Sequence, residues 1–315
     1  MLARGDLSMA EAFGLTNPVR RIREVKLALG GDPYTPASRW GLSSLGIFVP
    51  ALSVKTWCGF KPGDRLVPIS NFFNRTQTPS DQGWSVKKTQ VQDFRWGRRT
   101  YDSHNGTDFA IPLATPVIAP APGVVRRISD EFHRGGLKVL IDHGFGVITT
   151  SNHLGRALVE VGEEVVRGQP IALSAYSGID AVVSFPWSVP HVHFNTWVNG
   201  ESVDPFAREG EVSLWRVRND PRPYLEDDES QDWKPSEWDE DALDAVIAGC
   251  RDPKLCRSLS NTADLDRRAI DTIFMSNYFP TRFDVHAQIY ATTHERRPLL
   301  DLPFSAADYD GVRFM

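Results

Sequence analysis

Short apolar runs separated by glycine and proline dominate residues 96–208, and they constrain the fold more than any other feature of the chain. The segments LKVLIDH and GVITTSNH flank a Gly-Phe-Gly sequence at residues 144–146, and VHFNTWV alternates apolar and polar side chains. Runs of this length, punctuated by turn residues, are typical of antiparallel strands. We therefore expect residues 96–210 to form a mainly β domain built on an antiparallel β-sheet, with little helix.

The regions on either side of this segment differ from it in composition. Residues 1–95 mix short apolar stretches with proline and glycine, which favours short strands and loops over long helices, and we assign them to an N-terminal accessory region. Nine acidic side chains against one lysine lie between residues 226 and 241, so residues 211–236 are predicted to be an acidic linker. Residues 237–315 are predicted to be a small helical C-terminal unit.

Two helices are expected in the C-terminal unit. The first begins at a capping-box-like Ser236 and ends before Gly249, because apolar side chains recur at helical spacing between them. The second runs from about Asp264 to Ser276, and Pro280 prevents its continuation.

Charge and hydropathy argue against two classes of partner. The 315 residues carry 35 Lys and Arg against 40 Asp and Glu, a net charge of −5, so the chain lacks the basic surplus of a nucleic-acid-binding protein. Its longest uncharged run, residues 40–54, falls short of the roughly 18 apolar residues of a membrane helix and contains Pro50. Asp6 and Glu11 stand where a signal peptide has its basic and apolar regions, so no export signal is expected and the compartment stays open.

The three cysteines leave at least one thiol unpaired within the chain. Cys58 is isolated, whereas Cys250 and Cys256 are close enough in sequence for a small local disulfide. The alternative is that both are free and pack as small apolar side chains.

Five of the eight histidines lie between residues 104 and 193, and three local settings among them suit metal chemistry. His104 and Asp108 are separated by a glycine that permits a tight turn, so on a loop entering a strand both can point at one ion. His191 and His193 are two residues apart and would share one face of a strand. His153 stands at the end of a predicted strand, from which it can reach the same cleft.

The combination of these settings predicts a catalytic metal site. Each setting alone is weak, because isolated histidines and His-x-His pairs more often reflect packing. Two imidazoles and one carboxylate, however, leave a tetrahedral zinc ion with an open position for water, and two histidines remain for proton transfer. A structural zinc site would use four ligands, often thiolates, and the cysteines are not spaced as C-x-x-C pairs.

A series of short motifs also occurs in order between Trp96 and Phe206. They are WGRR at residues 96–99, HNGTDF at 104–109, IDHG at 141–144, HL at 153–154, VRGQ at 166–169, PHVHF at 190–194 and DP at 204–205. This ordered set resembles the lysostaphin-like, or LytM-type, zinc endopeptidases, which cut peptide bonds in bacterial peptidoglycan. The resemblance covers about a third of the chain.

The resemblance implies that His104, Asp108 and His193 bind one zinc ion (Zn2+) per chain, and that His153 and His191 flank the open position as the catalytic pair. It also implies a LytM-type fold for the antiparallel β-sheet domain, a peptidoglycan peptide as substrate, and an envelope or extracellular role. It is silent about protein partners and about which histidine is the general base.

The chain departs from the family pattern at three places, of which the first two touch no ligand and the third, a longer connection, bears on substrate preference. Ser151 replaces a usual aromatic residue, Ala114 replaces a frequent glycine, and the connection at residues 179–190 is longer than usual. Phe185 and Trp187 in this connection either form a wall of the cleft or cover an edge of the sheet.

Two other functions stay open. One is a catalytically silent binding or regulatory module, against which the five intact side chains argue. The other is a zinc endopeptidase for a peptide outside peptidoglycan, which the missing signal peptide favours. The remaining histidines are not assigned as ligands: His143 is expected to pack or to support the site, His133 to lie in an exposed turn, and His286 and His294 to lie outside the matched region.

Overall fold

A computed structural model of the protein describes residues 7–225 and 233–315. The first six residues, which include Asp6, and residues 226–232 of the predicted acidic linker lie outside the described residues. The helices are α1 (Met9–Phe13), α2 (Pro18–Gly30), α3 (Pro50–Trp57), α4 (Ile179–Ser184), α5 (Glu240–Ala248), α6 (Pro253–Ser260) and α7 (Leu265–Tyr278). Short 3-10 segments span Leu42–Ile47, Ser80–Gln82 and Pro280–Arg282.

The strands form one sheet. They are β1 (Leu66–Asn71), β2 (Thr107–Ala110), β3 (Pro116–Ile118), β4 (Gly123–Glu131), β5 (Gly136–Asp142), β6 (Val147–Ala157), β7 (Glu164–Val165), β8 (Pro170–Ser174), β9 (His191–Val198), β10 (Glu201–Val203) and β11 (Gly311–Phe314). The main path is β11-β1-β2-β9-β6-β5-β4-β7, while β10 pairs with β9 and β8 pairs with both β3 and β6. All pairings except β1 with β11 are antiparallel, and the sheet does not close. The prediction of a mainly β, antiparallel fold is confirmed.

Two strands of this sheet come from outside residues 96–210. β1 precedes the predicted boundary at residue 95, and it pairs antiparallel with β2. β11 follows residue 310 and pairs in parallel with the other side of β1. The division of the chain into four regions stays a prediction, and the sheet extends across it.

The strands place the site and the apolar core on opposite faces of β9. Val192 and Phe194 are fully buried in a cluster with Trp215. Side chains alternate along a strand, so His191, His193 and the residues that follow at the same spacing face the other way. On that face Trp197 packs into a second apolar cluster built largely from α5 and α7.

The expectation of short strands and loops in residues 1–95 is wrong at α2. This helix begins at Asn17, whose side chain accepts a hydrogen bond from the Arg20 N–H, and Pro18 occupies its first turn. Proline at that position starts helices, because its fixed φ suits the first turn. The helix buries Arg21 and Ala28 but exposes Val19, Ile22 and Leu29, so its hydrophobic pattern does not mark the packed face.

In the C-terminal part, α7 confirms the second predicted helix and extends it by two residues. The start predicted for α5 is wrong: Asp239 caps the helix by accepting from the Ala242 N–H, whereas Ser236 donates to Asp142 at 2.8 Å. Gly249 follows the last residue of α5 as predicted. α6 was not predicted from the sequence.

The three cysteines are free, so the local disulfide between Cys250 and Cys256 is not formed. Among the described residues, no helix combines the length and the hydropathy needed to cross a bilayer.

Candidate metal centre and active-site cleft

Two neighbouring strands and the loop before one of them carry the predicted metal ligands. β2 and β9 are paired so that Asp108 lies opposite His193. His104 lies on the loop that enters β2, close to Gly106. A Cβ atom on Gly106 would come within 2.7 Å of the Nε2 atom of His193, so this position requires glycine for the loop to approach β9.

The structure brings the three predicted ligand atoms together. The Nε2 atom of His104 lies 3.0 Å from Oδ1 of Asp108 and 3.1 Å from Nδ1 of His193. The Nδ1 atom of His193 lies 2.8 Å from the same carboxylate oxygen. All three side chains are buried, and together they form a candidate metal site that we call the ligand triad.

Hydrogen bonds on the far side of each ring position the triad. Nδ1 of His104 donates to the Phe72 carbonyl at 2.6 Å, which in the neutral ring leaves a lone pair on Nε2. Nε2 of His193 lies 3.2 Å from an acceptor, Oδ1 of Asn105, and 3.0 Å from a donor, the amide nitrogen of Asn195, so these contacts do not select one tautomer. Two imidazole nitrogens and a carboxylate oxygen converge, and deprotonated at the facing atoms they can share one ion. This donor set fits a divalent transition-metal ion.

Three asparagines support the triad, and none of them was predicted as a site residue from the sequence. Asn71 donates to Oδ2 of Asp108 at 2.9 Å, which turns the other oxygen toward the two rings. Asn195 donates to the carbonyl and the side-chain oxygen of Asn105 at 2.8 and 3.0 Å. The position of Asn195, two residues after a predicted ligand on one strand face, was an available signal; Asn71 offered none, because β1 lies far from the motifs in sequence.

The two remaining predicted residues, His153 and His191, form a second group that we call the histidine pair. Nδ1 of His153 donates to the Ser177 carbonyl at 2.8 Å, and Nδ1 of His191 donates to the Val189 carbonyl at 2.7 Å. In its neutral form, each ring therefore carries its lone pair on Nε2. The ring centroids lie 4.7 Å apart, and Nε2 of His191 lies 3.5 Å from Oδ1 of Asp108.

Burial and neighbouring charges favour the protonation states that metal binding requires. Burial alone would raise the pKa of Asp108, but electrostatic interactions with His104 and His191, together with the hydrogen bonds of the triad, outweigh burial and hold that pKa well below its usual value. Burial lowers the pKa of His193 to about 4, although Asp108 opposes the shift. Burial, reinforced by the neighbouring His191 ring, also holds the pKa of His153 well below its usual value. At neutral pH the carboxylate is thus ionised and these two rings are neutral.

A cavity of about 450 Å³ opens beside these groups. His153 and His193 lie in its wall together with Arg134, Asp180 of α4, and side chains from residues 40–48. The cleft therefore combines sheet residues with a segment of the predicted accessory region.

Phe185 and Trp187 do not line this cavity. The ring of Phe185 packs against Phe13 and Trp57, with centroids 5.6 and 5.1 Å away. About half of the surface of Trp187 is exposed. Phe185 thus packs on α1 and α3, which is neither the predicted wall nor the predicted cover of a sheet edge. The part of the connection that lines the cleft is α4.

The structure also shows the surroundings of two other histidines and of Ala114, one of the departures from the family pattern. His143 is buried and bonded on both ring nitrogens, to Pro122 and Thr149, which agrees with a packing role. The expected exposed turn at His133 is wrong: α2 and Phe279 cover this side chain, and burial lowers its pKa to about 3. Ala114 has a φ of 58°, which explains why glycine is frequent there in the family.

Comparison with known proteins identifies the domain that carries this cleft. Residues 102–205 match Peptidase family M23. The peptidoglycan DD-endopeptidase ShyA of Vibrio cholerae is 39% identical over 101 residues, which are 32% of this chain and 22% of ShyA. An uncharacterized metalloprotease of Haemophilus influenzae is 37% identical over 104 residues, which are 33% of this chain and 20% of the relative.

Among solved structures, the catalytic domain of lysostaphin from Staphylococcus simulans is 29% identical with a TM-score of 0.29, covering 33% of this chain and 77% of that domain. The chain spans about a fifth of the length of the curated relatives it matches. The matched segment, residues 102–205, is thus similar to the domains of peptidase family M23.

Proposed function

We propose that this protein is a zinc-dependent endopeptidase that hydrolyses peptide bonds in the crosslinks or stem peptides of peptidoglycan. The observation that carries this proposal is the convergence of the three ligand atoms of His104, Asp108 and His193 beside two histidines with free Nε2 lone pairs. The name of the relative ShyA, a peptidoglycan DD-endopeptidase, supports the substrate class.

The ligand triad would hold the metal through two nitrogens and one carboxylate oxygen. Three protein ligands leave one position open, as in catalytic rather than structural zinc sites. A bound zinc ion supplies Lewis-acid chemistry, because it polarises the scissile carbonyl and lowers the pKa of a bound water to about 7. Asn71 and Asn105 keep the ligand atoms aimed at the ion by occupying their other hydrogen-bonding sites.

The histidine pair would move the protons. A neutral ring with its lone pair on Nε2 can accept a proton from the attacking water and later give it to the leaving amine. The other ring, once protonated at Nε2, can donate to the oxygen that becomes negatively charged in the tetrahedral intermediate. The carbonyls of Ser177 and Val189 hold both rings in the tautomer that this work requires.

Two alternatives remain to be tested against this proposal. A catalytically silent module has no need of the full set of ligands and proton-transfer side chains, so the geometry favours an active enzyme. An endopeptidase for a peptide outside peptidoglycan would use the same chemistry. Action on peptidoglycan would place the protein in the envelope or outside the cell.

The test is to incubate zinc-loaded protein with purified peptidoglycan of several chemotypes and with a panel of unrelated peptides, and to analyse the products by mass spectrometry. We expect new amino termini within the peptidoglycan peptides, and none with His193→Ala protein. Cleavage of the unrelated panel alone would favour the second alternative, and no metal-dependent cleavage of any substrate would contradict the proposed function.

A further inference from the structure

Arg134 is a buried cation in the wall of the cleft. It lies in the turn between β4 and β5, and 8% of its surface is exposed. Nη1 donates to the Ser38 hydroxyl at 3.0 Å and to the carbonyl of His133 at 3.3 Å, whereas the buried Nε has no hydrogen-bond partner within residues 7–225 and 233–315. Among the described residues, no carboxylate oxygen lies within the 4.0 Å of an ion pair with this guanidinium. Burying an arginine without a counterion is unfavourable, so the position calls for an external anion.

The turn places this arginine next to the histidine pair. The carbonyl of Gly135, the residue after Arg134, accepts a hydrogen bond from the backbone N–H of His153 at 2.8 Å. The backbone of the turn is therefore joined directly to a proposed proton-transfer residue. Arg134 lines the same cavity as His153 and His193. It also lines a second cavity of about 370 Å³ beside α7, so it lies where the two cavities share a wall.

The surroundings hold Arg134 in place before any ligand arrives. Its guanidinium lies 5.3 Å from the ring centroid of Trp84. Gly136, at the end of the turn, has a backbone φ in the left-handed region, and a Cβ atom there would come within 2.2 Å of Ser177. The turn therefore packs tightly on the loop that contains Ser177. Burial lowers the pKa of Arg134 to about 10, and Asp180, which lines the cavity beyond ion-pair distance, opposes this shift without occupying the donors of Arg134. A preorganised cation loses little conformational entropy on binding.

We propose that Arg134 binds a carboxylate of the peptide substrate and thereby selects peptides that carry a free carboxylate near the scissile bond. This inference rests on the proposed peptidase function and assigns a specificity-determining residue to it. A guanidinium offers a planar fork of N–H donors that matches the two oxygens of a carboxylate, whereas lysine offers only a point charge. A peptide can present such a group at its C-terminus or on an acidic side chain.

The experiment uses four synthetic peptides of one cleavable sequence that contains one acidic residue. In these peptides the C-terminal and the side-chain carboxylate are each either free or amidated. Zinc-loaded wild-type protein is compared with Arg134→Gln, Arg134→Lys and a control, Arg257→Gln, which removes an exposed arginine of α6. The readout is the ratio of kcat/KM for each free peptide to that for its amidated counterpart. This ratio does not depend on the fraction of protein that is folded.

We expect wild-type protein to favour one free carboxylate by about tenfold or more, as charge-assisted hydrogen bonds allow. Arg134→Gln should bring this ratio close to one through loss of activity on the free peptide, Arg134→Lys should retain part of it, and Arg257→Gln should retain all of it. The peptide that shows the preference identifies which carboxylate is bound.

The outcomes separate this inference from the proposed function. Metal-dependent cleavage with no preference for either carboxylate, or with a preference that Arg134→Gln leaves intact, overturns the role of Arg134 and leaves the peptidase standing. If no peptide is cleaved, the proposed function fails, and calorimetry of the free and amidated peptides on His153→Ala protein decides the inference. Equal Kd values would then overturn it, and tighter binding of a free carboxylate that requires Arg134 would support it.

Discussion

The ligand triad and the histidine pair lie in one cleft but are held in different ways. In the triad, each ring contacts another triad member, and the far nitrogens are bonded to Phe72 and Asn105. In the histidine pair, each ring is held through one backbone carbonyl, and Nε2 has no ring nitrogen against it. A metal ligand needs a fixed direction, whereas a proton-transfer residue needs a fixed tautomer and a lone pair facing the substrate. Mutations in the two groups should therefore have different consequences.

Removing a triad residue should have the largest effect. We expect His104→Ala and His193→Ala proteins to lose most bound zinc and all measurable peptidase activity, because two ligands do not hold the ion. Metal analysis after dialysis, together with the peptide assay, checks this. Full zinc occupancy in both variants would mean that the triad is not the metal site.

Removing a member of the histidine pair should separate metal content from turnover. We expect His153→Ala and His191→Ala each to lower kcat by about 10²-fold or more while zinc stays bound, as is typical of general acid–base residues. If His191→Ala lost zinc as completely as His193→Ala, the ligand and the proton-transfer residue of the His-x-His motif would be interchanged.

A mutation behind the triad should weaken the metal site without abolishing it. Asn195→Ala removes the donor that orients Asn105, so zinc affinity should fall by roughly 10- to 100-fold. Competition with a chelator measures this. The control is Asn277→Ala, which removes a side-chain amide of α7 that donates to the Gly200 carbonyl at 2.7 Å. Equal affinity in both variants would show that the network does not tune the triad.

A mutation at His143 tests the role of a buried histidine that belongs to neither group. We expect this residue to affect stability and not catalysis. Burial lowers the pKa of His143 to about 4, below the value of about 6.5 in an unfolded chain. As pH falls, the unfolded chain therefore binds a proton first, so this contribution to stability is present above about pH 6.5 and is lost toward pH 4. Between pH 7 and pH 5 this histidine should lower the free energy of unfolding by about 2 kcal/mol.

Metal-free protein is used to measure this effect by denaturant unfolding. The free energy of unfolding of His143→Gln protein should fall less over this pH range than that of wild-type protein, whereas the exposed His286→Gln variant should behave like wild type. A parallel decline in all three proteins would contradict the assignment.

The smallest effect is expected at Trp187. Because about half of its surface is exposed and it lies outside the cleft, Trp187→Ala should lower the free energy of unfolding by less than about 1 kcal/mol and leave the ranking of peptide substrates unchanged. A changed ranking of substrates with unchanged stability would instead support the hypothesis that residues 179–190 form a wall of the cleft.

The sequence predicted the sheet and the five site residues because the relevant signals are local. The two-residue period of β9 puts His191 and His193 on one face and Val192 and Phe194 on the other. The glycine between His104 and Asp108 permits the approach that joins the loop to β9. Their roles as ligands and proton-transfer residues stay predictions until the variants are measured.

What only the tertiary structure decided depends on contacts between residues distant in the chain. α2 packs against the sheet domain partly through Arg21, which pairs with Glu24 of the same helix and with Asp130 of β4, and no helical periodicity of apolar residues indicates this face. Asn71 reaches Asp108 only because β1 pairs with β2. Hydrophobic period and turn chemistry act over a few residues, and they specified strands, turns and the His-x-His face. The burial of Arg134 beside His153 arises from packing between separate segments, which has no signal in local sequence.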